Sequence, residues 1–292
     1  MPQIRGSIPA LVTPFRDGKV DFDALECLVE WHISEGSHGI VAVGTTGESP
    51  TVGTAEHKEV IRRVVDLVNG RIPVIAGTGS NATAQSLDMM QAAEAAGADA
   101  ALVVAPYYNK PNQAGLLAHY NALHDRTTLP IILYNIPGRC VIDIHVETMA
   151  EMARWPRIVG VKDATGSMER VSRQRALCGR DFIQLSAEDA AALGFNAHGG
   201  QGCISVTANV APRLCAEFQE ASLAENLELA RDYQERLLPL HTALFLEPPA
   251  ACAKYALSRL GLCLEDVRLP LTPVTAETRT ALDRAMEVAG LI

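Results

Sequence analysis

Along the chain, short and almost wholly apolar runs alternate with longer stretches in which apolar positions recur every three or four residues. The runs are SIPALVTPF (7–15), GIVAVGTTG (39–47), PVIAGTG (73–79), AALVVAPYY (100–108), PIILYNIP (130–137), IVGVKDAT (158–165), FIQLSAED (182–189) and GCISVTAN (202–209). Continuous rather than alternating apolarity is the pattern of strands covered on both faces. Their centres, Val12, Val43, Ile75, Val103, Leu133, Val161, Leu185 and Ile204, lie 19 to 32 residues apart, room for one strand and one helix per step. In between, Phe22, Leu25, Val29 and Ile33 follow Asp21 and stop at Gly36. Val60, Ile61, Val64, Val65 and Val68 follow Thr54, a candidate N-cap, and stop at Gly70.

Eight such units predict an α/β fold, a (β/α)8 TIM barrel. A doubly wound open sheet is the alternative, but it rarely needs eight parallel strands and should carry a phosphate fingerprint. The strand signal ends at Asn209. Leu223, Leu227, Ala230 and Leu237 begin a helical run, and segments near 249–260 and 275–289 read as helices too. The expected organisation is a catalytic barrel over 1–224 and a C-terminal helical domain over 225–292, packed closely on the barrel or on a neighbouring subunit.

Composition narrows the partners. With 25 basic against 34 acidic side chains and a formal charge of −9, the chain offers no basic surface for nucleic acid or for an anionic membrane. No apolar stretch is long enough to span a bilayer, and residues 1–10 lack the plan of a signal peptide, which predicts a cytoplasmic protein. The seven cysteines are scattered and form no CxxC pair, as expected of reduced thiols. The eight histidines form no HExxH pair, so no metal site is expected.

In a barrel of this kind the C-terminal ends of the strands carry the active site. Polar groups converge there: Thr45 and Thr46 after the second run, Tyr107 and Tyr108 after the fourth, Tyr134, Asn135 and Arg139 after the fifth, and Lys162 and Asp163 at the sixth. Lys162 is the most informative. It alone among five lysines sits inside an apolar strand. Burying an ammonium is costly unless it is paired or neutral, and desolvation favours the neutral amine that attacks carbonyl carbon. An ion pair with Asp163 is the plain structural alternative, weakened because adjacent strand residues face opposite ways. Tyr134 is the natural proton carrier for such an amine, with Thr46 and Tyr108 completing a relay. The Gly44–Ser49 turn, with glycines able to take positive φ, has N–H groups that can cradle a carboxylate. Arg139 carries a fork that matches a second, acidic substrate.

The segments GSIPALVTPF, GTTGES, PVIAGTGSNAT, APYYNKP, YNIPGR, GVKDATG, GCISVTANVAP and RLPLTP extend from residue 6 to 273. Through them the chain resembles the dihydrodipicolinate synthase family, within the pyruvate-dependent class I aldolase and N-acetylneuraminate lyase superfamily. The resemblance implies a lyase of lysine and diaminopimelate biosynthesis that needs no cofactor beyond a covalent imine between Lys162 and pyruvate. Thr45 and Thr46 would hold the pyruvate carboxylate, with Ile204 lining the pocket. Tyr134, Thr46 and Tyr108 would relay protons, Tyr108 coming from the neighbouring subunit of a tight dimer. The enamine would attack L-aspartate 4-semialdehyde, whose carboxylate Arg139 would hold, and two dimers would form a homotetramer. Two departures stand out. Ala187 replaces the usual glycine of the seventh strand motif. Ser49, His57, Asn81 and Tyr107 match a lysine-feedback site, but Thr54 and Gln85 stand where histidine and glutamate are usual, which implies weak or absent lysine inhibition. The competing readings are a 2-keto-3-deoxy sugar acid aldolase and a non-catalytic ligand-binding paralogue.

Overall fold

A computed structural model describes residues 3–292. Met1 and Pro2, the start of the expected barrel segment, lie outside the described residues. Eight parallel strands are laid down in chain order: β1 Gly6–Pro9, β2 Ile40–Ala42, β3 Val74–Gly77, β4 Ala100–Val104, β5 Ile131–Asn135, β6 Ile158–Asp163, β7 Ile183–Ser186 and β8 Gly202–Ser205. Each pairs with its sequence neighbour from β2 to β8, and β8 pairs with β1. The ring closes where Ala10 bridges Val41 in parallel and the Leu11 N–H donates to the Val41 carbonyl at 3.0 Å. This is the (β/α)8 barrel, not an open doubly wound sheet.

The crossover helices are α1 Phe22–Ser34, α2 Thr54–Val68, α3 Thr83–Ala96, α4 Gln113–His124, α5 Val146–Met152, α6 Met168–Cys178, α7 Ala192–Ala197 and α8 Pro212–Leu223. Asp21 caps α1 by accepting the Ala24 N–H at 3.0 Å, and Gly36 follows its end with φ +84. The start of α2 differs by one residue from expectation. Gly53 is the N-cap and Thr54 the first helical residue, because Glu56, three positions on, reaches back to accept the Gly53 N–H at 3.3 Å. The stop is Asn69 in the left-handed conformation, with Gly70 just beyond it.

The strands' two faces are both buried, as their unbroken apolarity requires. Ile8, Val41, Ile75, Leu102, Ile132, Leu185 and Ile204 fill the barrel interior, while the opposite faces pack on the helices. Three further helices, α9 Leu227–Ala243, α10 Pro249–Arg259 and α11 Ala276–Ala289, follow α8. The chain breaks helix at 224–226, where Asn226 caps α9 by accepting the Leu229 N–H, so Leu223 ends one helix and Leu227 begins the next. Hydrogen bonds hold the added helices against the barrel: His241 to the Thr207 hydroxyl at 2.7 Å, and Gln234 to the Ala190 carbonyl at 3.2 Å. All seven cysteines are free. Among the described residues no helix is long and apolar enough to cross a membrane.

The helix layer contains an acid-sensitive element. Burial holds the imidazole of His32 down to about 3 and that of His119 down to about 4, and it also lowers His38, His57 and His241. In the unfolded chain a histidine takes its proton near pH 6.5. Between that value and about 4 the unfolded state therefore binds more protons than the native one, and stability falls as pH falls. His32 and His119 together should remove roughly 4 kcal/mol between pH 7 and 5, above the range in which carboxylates titrate. Thermal melts across this interval check it. His32→Leu should remove about 2 kcal/mol of this loss, the remainder belonging to His119 and the other lowered histidines by the same linkage; an unchanged slope would assign the acid sensitivity elsewhere.

Candidate active site

A cavity of about 590 Å³ opens at the C-terminal ends of the strands. Its walls include Thr45, Thr46, Tyr134, Arg139, Lys162, Ala187 and Glu188 from the barrel, and Phe245, Pro248 and Leu271 from the C-terminal segment. The polar residues are drawn from the ends of β2, β5, β6 and β7, so sequence-distant positions converge only because the barrel closes.

Lys162 and Tyr134 are cross-strand partners. Parallel pairing of β5 and β6 puts Leu133 beside Val161, Tyr134 beside Lys162 and Asn135 beside Asp163. Residues in register point the same way, so Tyr134 and Lys162 share the inner face and Asp163 takes the outer one. The Lys162 Nζ lies 4.3 Å from the centroid of the Tyr134 ring, and both side chains are buried. Asp163 does not pair with it. Its carboxylate accepts Arg170 Nε at 3.1 Å and Gln174 Nε2 at 2.7 Å, both from α6, and the Thr165 hydroxyl at 2.6 Å. Among the described residues no carboxylate lies within ion-pair distance of Lys162. The amine is thus enclosed, unclaimed by an acid, and open to a carbonyl compound in the cavity. Close packing of the next strand supports it: a Cβ on Gly160 would stand 2.5 Å from the Ile183 carbonyl oxygen.

The turn after β2 is built differently from expectation. Positive φ falls on Val43 (+52) and Glu48 (+57), not on Gly44 or Gly47. Gly47 is required by proximity instead, since a Cβ there would meet the Leu11 carbonyl oxygen at 2.9 Å and Val43 Cα at 3.0 Å. The Thr13 hydroxyl donates to the Gly47 carbonyl at 2.7 Å, tying the turn to the segment after β1. Among the described residues the N–H groups of Thr45 and Thr46 have no protein acceptor, which leaves two donors and two hydroxyls at the cavity wall.

The remaining candidates separate. Arg139 is exposed at the cavity rim, in the one-turn helix Pro137–Cys140. Ile204 is fully buried among the barrel-interior residues with Tyr134 and is not part of the cavity wall. Tyr108 stands apart from this cavity: it is 87% exposed, at φ +71. Of the four residues matched to a feedback site, His57 donates through Nε2 to the Gly77 carbonyl at 2.7 Å, and burial keeps its imidazole below the usual range and neutral. The Asn81 carbonyl accepts Asn109 Nδ2 at 2.8 Å, while Ser49 and Tyr107 are partly exposed. Gln85 accepts the Ser80 hydroxyl at 2.8 Å. Ser49, His57, Asn81 and Tyr107 make no hydrogen bonds to one another among the described residues.

The profile of the dihydrodipicolinate synthetase family matches residues 3–289. The chain belongs to that family. It is 64% identical over 289 residues to the 4-hydroxy-tetrahydrodipicolinate synthase of Cereibacter sphaeroides, covering 99% of this chain and all of that one. To the 4-hydroxy-tetrahydrodipicolinate synthase of Rhizobium meliloti it is 60% identical over 291 residues, with 99% of each chain covered. Among solved structures it superposes with a TM-score of 0.97, at 44% identity, on the chloride-inhibited dihydrodipicolinate synthase of Acinetobacter baumannii complexed with pyruvate, covering 99% of this chain and all of that one.

Two acidic groups of this family member's site escaped the reading of its sequence. Glu188 lines the cavity, and burial, reinforced by Asp189, raises its carboxyl above the usual range while Lys162 and Arg139 pull it back. Its place after an apolar strand was the available signal. Glu48 also touches the cavity, yet its side chain is buried. Nothing local marks it, because its partner is 206 residues away.

Proposed function

We propose that the protein condenses pyruvate with L-aspartate 4-semialdehyde to give 4-hydroxy-tetrahydrodipicolinate, a step of lysine and diaminopimelate biosynthesis. The observation that carries this reading is Lys162: an enclosed amine without an acid partner, in register with Tyr134, at the wall of a cavity that also holds Thr45, Thr46 and Arg139.

The chemistry follows from these groups. Lys162 Nζ adds to the keto carbon of pyruvate and water leaves, forming the imine. The free N–H and hydroxyl groups of Thr45 and Thr46 receive the pyruvate carboxylate. Loss of a methyl proton gives the enamine, whose carbon attacks the aldehyde of the second substrate. The amino group of that substrate then attacks the imine carbon, closes the ring and releases Lys162. Tyr134 and Thr46 carry the protons, with Tyr108 supplied by the neighbouring subunit of a dimer. Its exposure and left-handed backbone favour a role at a subunit contact over one within its own chain. Two such dimers form the homotetramer, and Ile204 supports the ring of Tyr134 from the barrel interior. Arg139 holds the acceptor's carboxylate at the rim. No cofactor enters this sequence of steps. The seven free thiols suit a cytoplasmic enzyme.

The acceptor is tested by following pyruvate consumption with L-aspartate 4-semialdehyde against the aldehydes of 2-keto-3-deoxy sugar acid cleavage. The semialdehyde should accelerate consumption at least about tenfold over any sugar aldehyde, since a site built for a carboxylate rejects analogues that leave its donors unpaired. Preference for a sugar aldehyde would transfer the enzyme to the sugar acid aldolases, with Ala187 narrowing the acceptor side. Feedback is expected to be weak. Gln85, an amide already engaged by Ser80, replaces a carboxylate that would bind an ammonium. An inhibition curve with L-lysine should show half-inhibition only in the millimolar range or above; micromolar sensitivity would show that Ser49, His57, Asn81 and Tyr107 suffice.

A further inference from the structure

Among the described residues the ion pair between Lys254 and Glu48 is the most enclosed, with the two side chains 0% and 1% exposed. Glu48 belongs to the turn after β2, two residues beyond Thr46. Lys254 belongs to α10, far along the chain. Both carboxylate oxygens of Glu48 are occupied from the C-terminal segment: Lys254 Nζ donates to Oε1, and the Arg268 N–H donates to Oε2 at 3.0 Å. The same Lys254 Nζ donates to the Asp266 carbonyl at 2.8 Å and packs 3.9 Å from the centroid of the Phe15 ring. Arg268 extends the clamp, with Nη1 to the Thr51 carbonyl at 3.1 Å and a forked pair to Glu56 at 2.7 and 2.8 Å.

The turn needs holding. Glu48 and β-branched Val43 both adopt left-handed φ, where an L residue is disfavoured and a β-branched one rare. Such a backbone persists only where its surroundings over-determine it. Thr13 holds the turn from one side through the Gly47 carbonyl, and Lys254 holds it from the other through Glu48. Thr45 and Thr46 come immediately before these two anchored residues, and their N–H groups have no protein acceptor among the described residues. With Lys254 neutralised, a buried carboxylate would be left without its cation. The turn would relax to bring Glu48 toward water, and the donors of Thr45 and Thr46 would move with it.

We propose that Lys254 is a positioning residue for the first substrate: by holding Glu48, it sets the Thr45–Thr46 turn that receives the keto acid's carboxylate. The C-terminal helices thereby take part in recognition without touching the substrate. This inference rests on the role given to Thr45 and Thr46 above.

The test uses the full chain and three variants, Lys254→Met, Glu48→Gln and the double substitution, with borohydride trapping on Lys162 as the readout. Two carbonyl compounds are compared: pyruvate, and acetone, which forms an imine but has no carboxylate. Each variant should raise the half-saturating pyruvate concentration about tenfold or more, the scale on which small misplacements act. Acetone trapping should stay within about twofold of the parent, because it does not use the turn. The double substitution should match the single ones instead of multiplying them, since both act through one contact. It also removes both charges together, so it carries the test if Lys254→Met does not fold. An equal loss with pyruvate and acetone, an unchanged pyruvate dependence, or multiplying effects would overturn the proposal. A parent chain in which pyruvate leaves Lys162 unmodified would instead overturn the imine chemistry itself.

Discussion

Lys162→Ala should abolish the borohydride-trappable pyruvate adduct and lower turnover by about three orders of magnitude or more, as expected when a covalent nucleophile is removed. The same substitution should leave the fold nearly intact. Lys162 forms no ion pair among the described residues, so its removal strands no buried acid. The contact that is lost, its nitrogen 4.3 Å from the buried Tyr134 ring centroid, contributes about 2 kcal/mol in a desolvated cation–π pair. Asp163, the neighbour that a plain ion-pair reading would have left uncompensated, keeps Arg170 and Gln174. The expected result is a folded, inactive protein whose melting temperature falls by no more than a few degrees. Turnover, peptide mass mapping after trapping and a thermal melt decide it together. An adduct surviving on another lysine would sink the assignment, and the alternatives are few. Lys254 is clamped by Glu48, Lys58 pairs with Asp88, and Lys19 and Lys110 are exposed.

The next largest effect is expected from Tyr134→Phe, which should lower turnover by roughly 10² to 10³, within the range of a lost general acid–base group. Phenylalanine preserves what the ring does structurally. It still packs with Ile8, Leu185 and Ile204 in the barrel interior and still lies under Lys162 Nζ. Only the hydroxyl at the cavity wall is lost. The signature should therefore be a fall in turnover with little change in half-saturating pyruvate, and a trapped adduct on Lys162 that accumulates slowly to its full extent. That pattern differs from Lys162→Ala, which yields no adduct, and from Lys254→Met, which shifts pyruvate affinity. Turnover within about threefold of the parent would move the proton relay to other groups or to solvent, since a positioned acid–base group contributes far more.

These expectations began with residues that are conspicuous in the chain itself. Lys162 interrupts an apolar strand, where a charged side chain is out of pattern. The runs that became β1 to β8 are legible because burial on both faces imposes continuous apolarity, and that is a property of neighbouring residues. The end of α1 was legible for the same reason, since Asp21 and Gly36 act within a turn of the helix they bound. Local reading went slightly astray at α2, where Gly53 with Glu56 supplies the cap that Thr54 was expected to give. At the Gly44–Ser49 turn the glycines were visible, but the residues that take positive φ were not. Val43 and Glu48 adopt it in a turn held by contacts from the segment after β1 and from α10, which no local propensity records.

By itself, then, the order of residues determined the succession of strands and helices, the barrel class and the choice of Lys162 as the proposed nucleophile. Each of these depends on interactions over a few positions, through side-chain period, capping and the cost of an isolated buried charge. The tertiary structure alone decided which groups meet. It placed Tyr134 beside Lys162 by the register of two strands, turned Asp163 away to Arg170, raised the carboxyl of Glu188 by enclosing it, and joined Glu48 to Lys254 across 206 positions. Register and long-range pairing are fixed only when the barrel closes and the last helices pack on it, because the energies that choose them are shared over the whole core rather than written into any one segment.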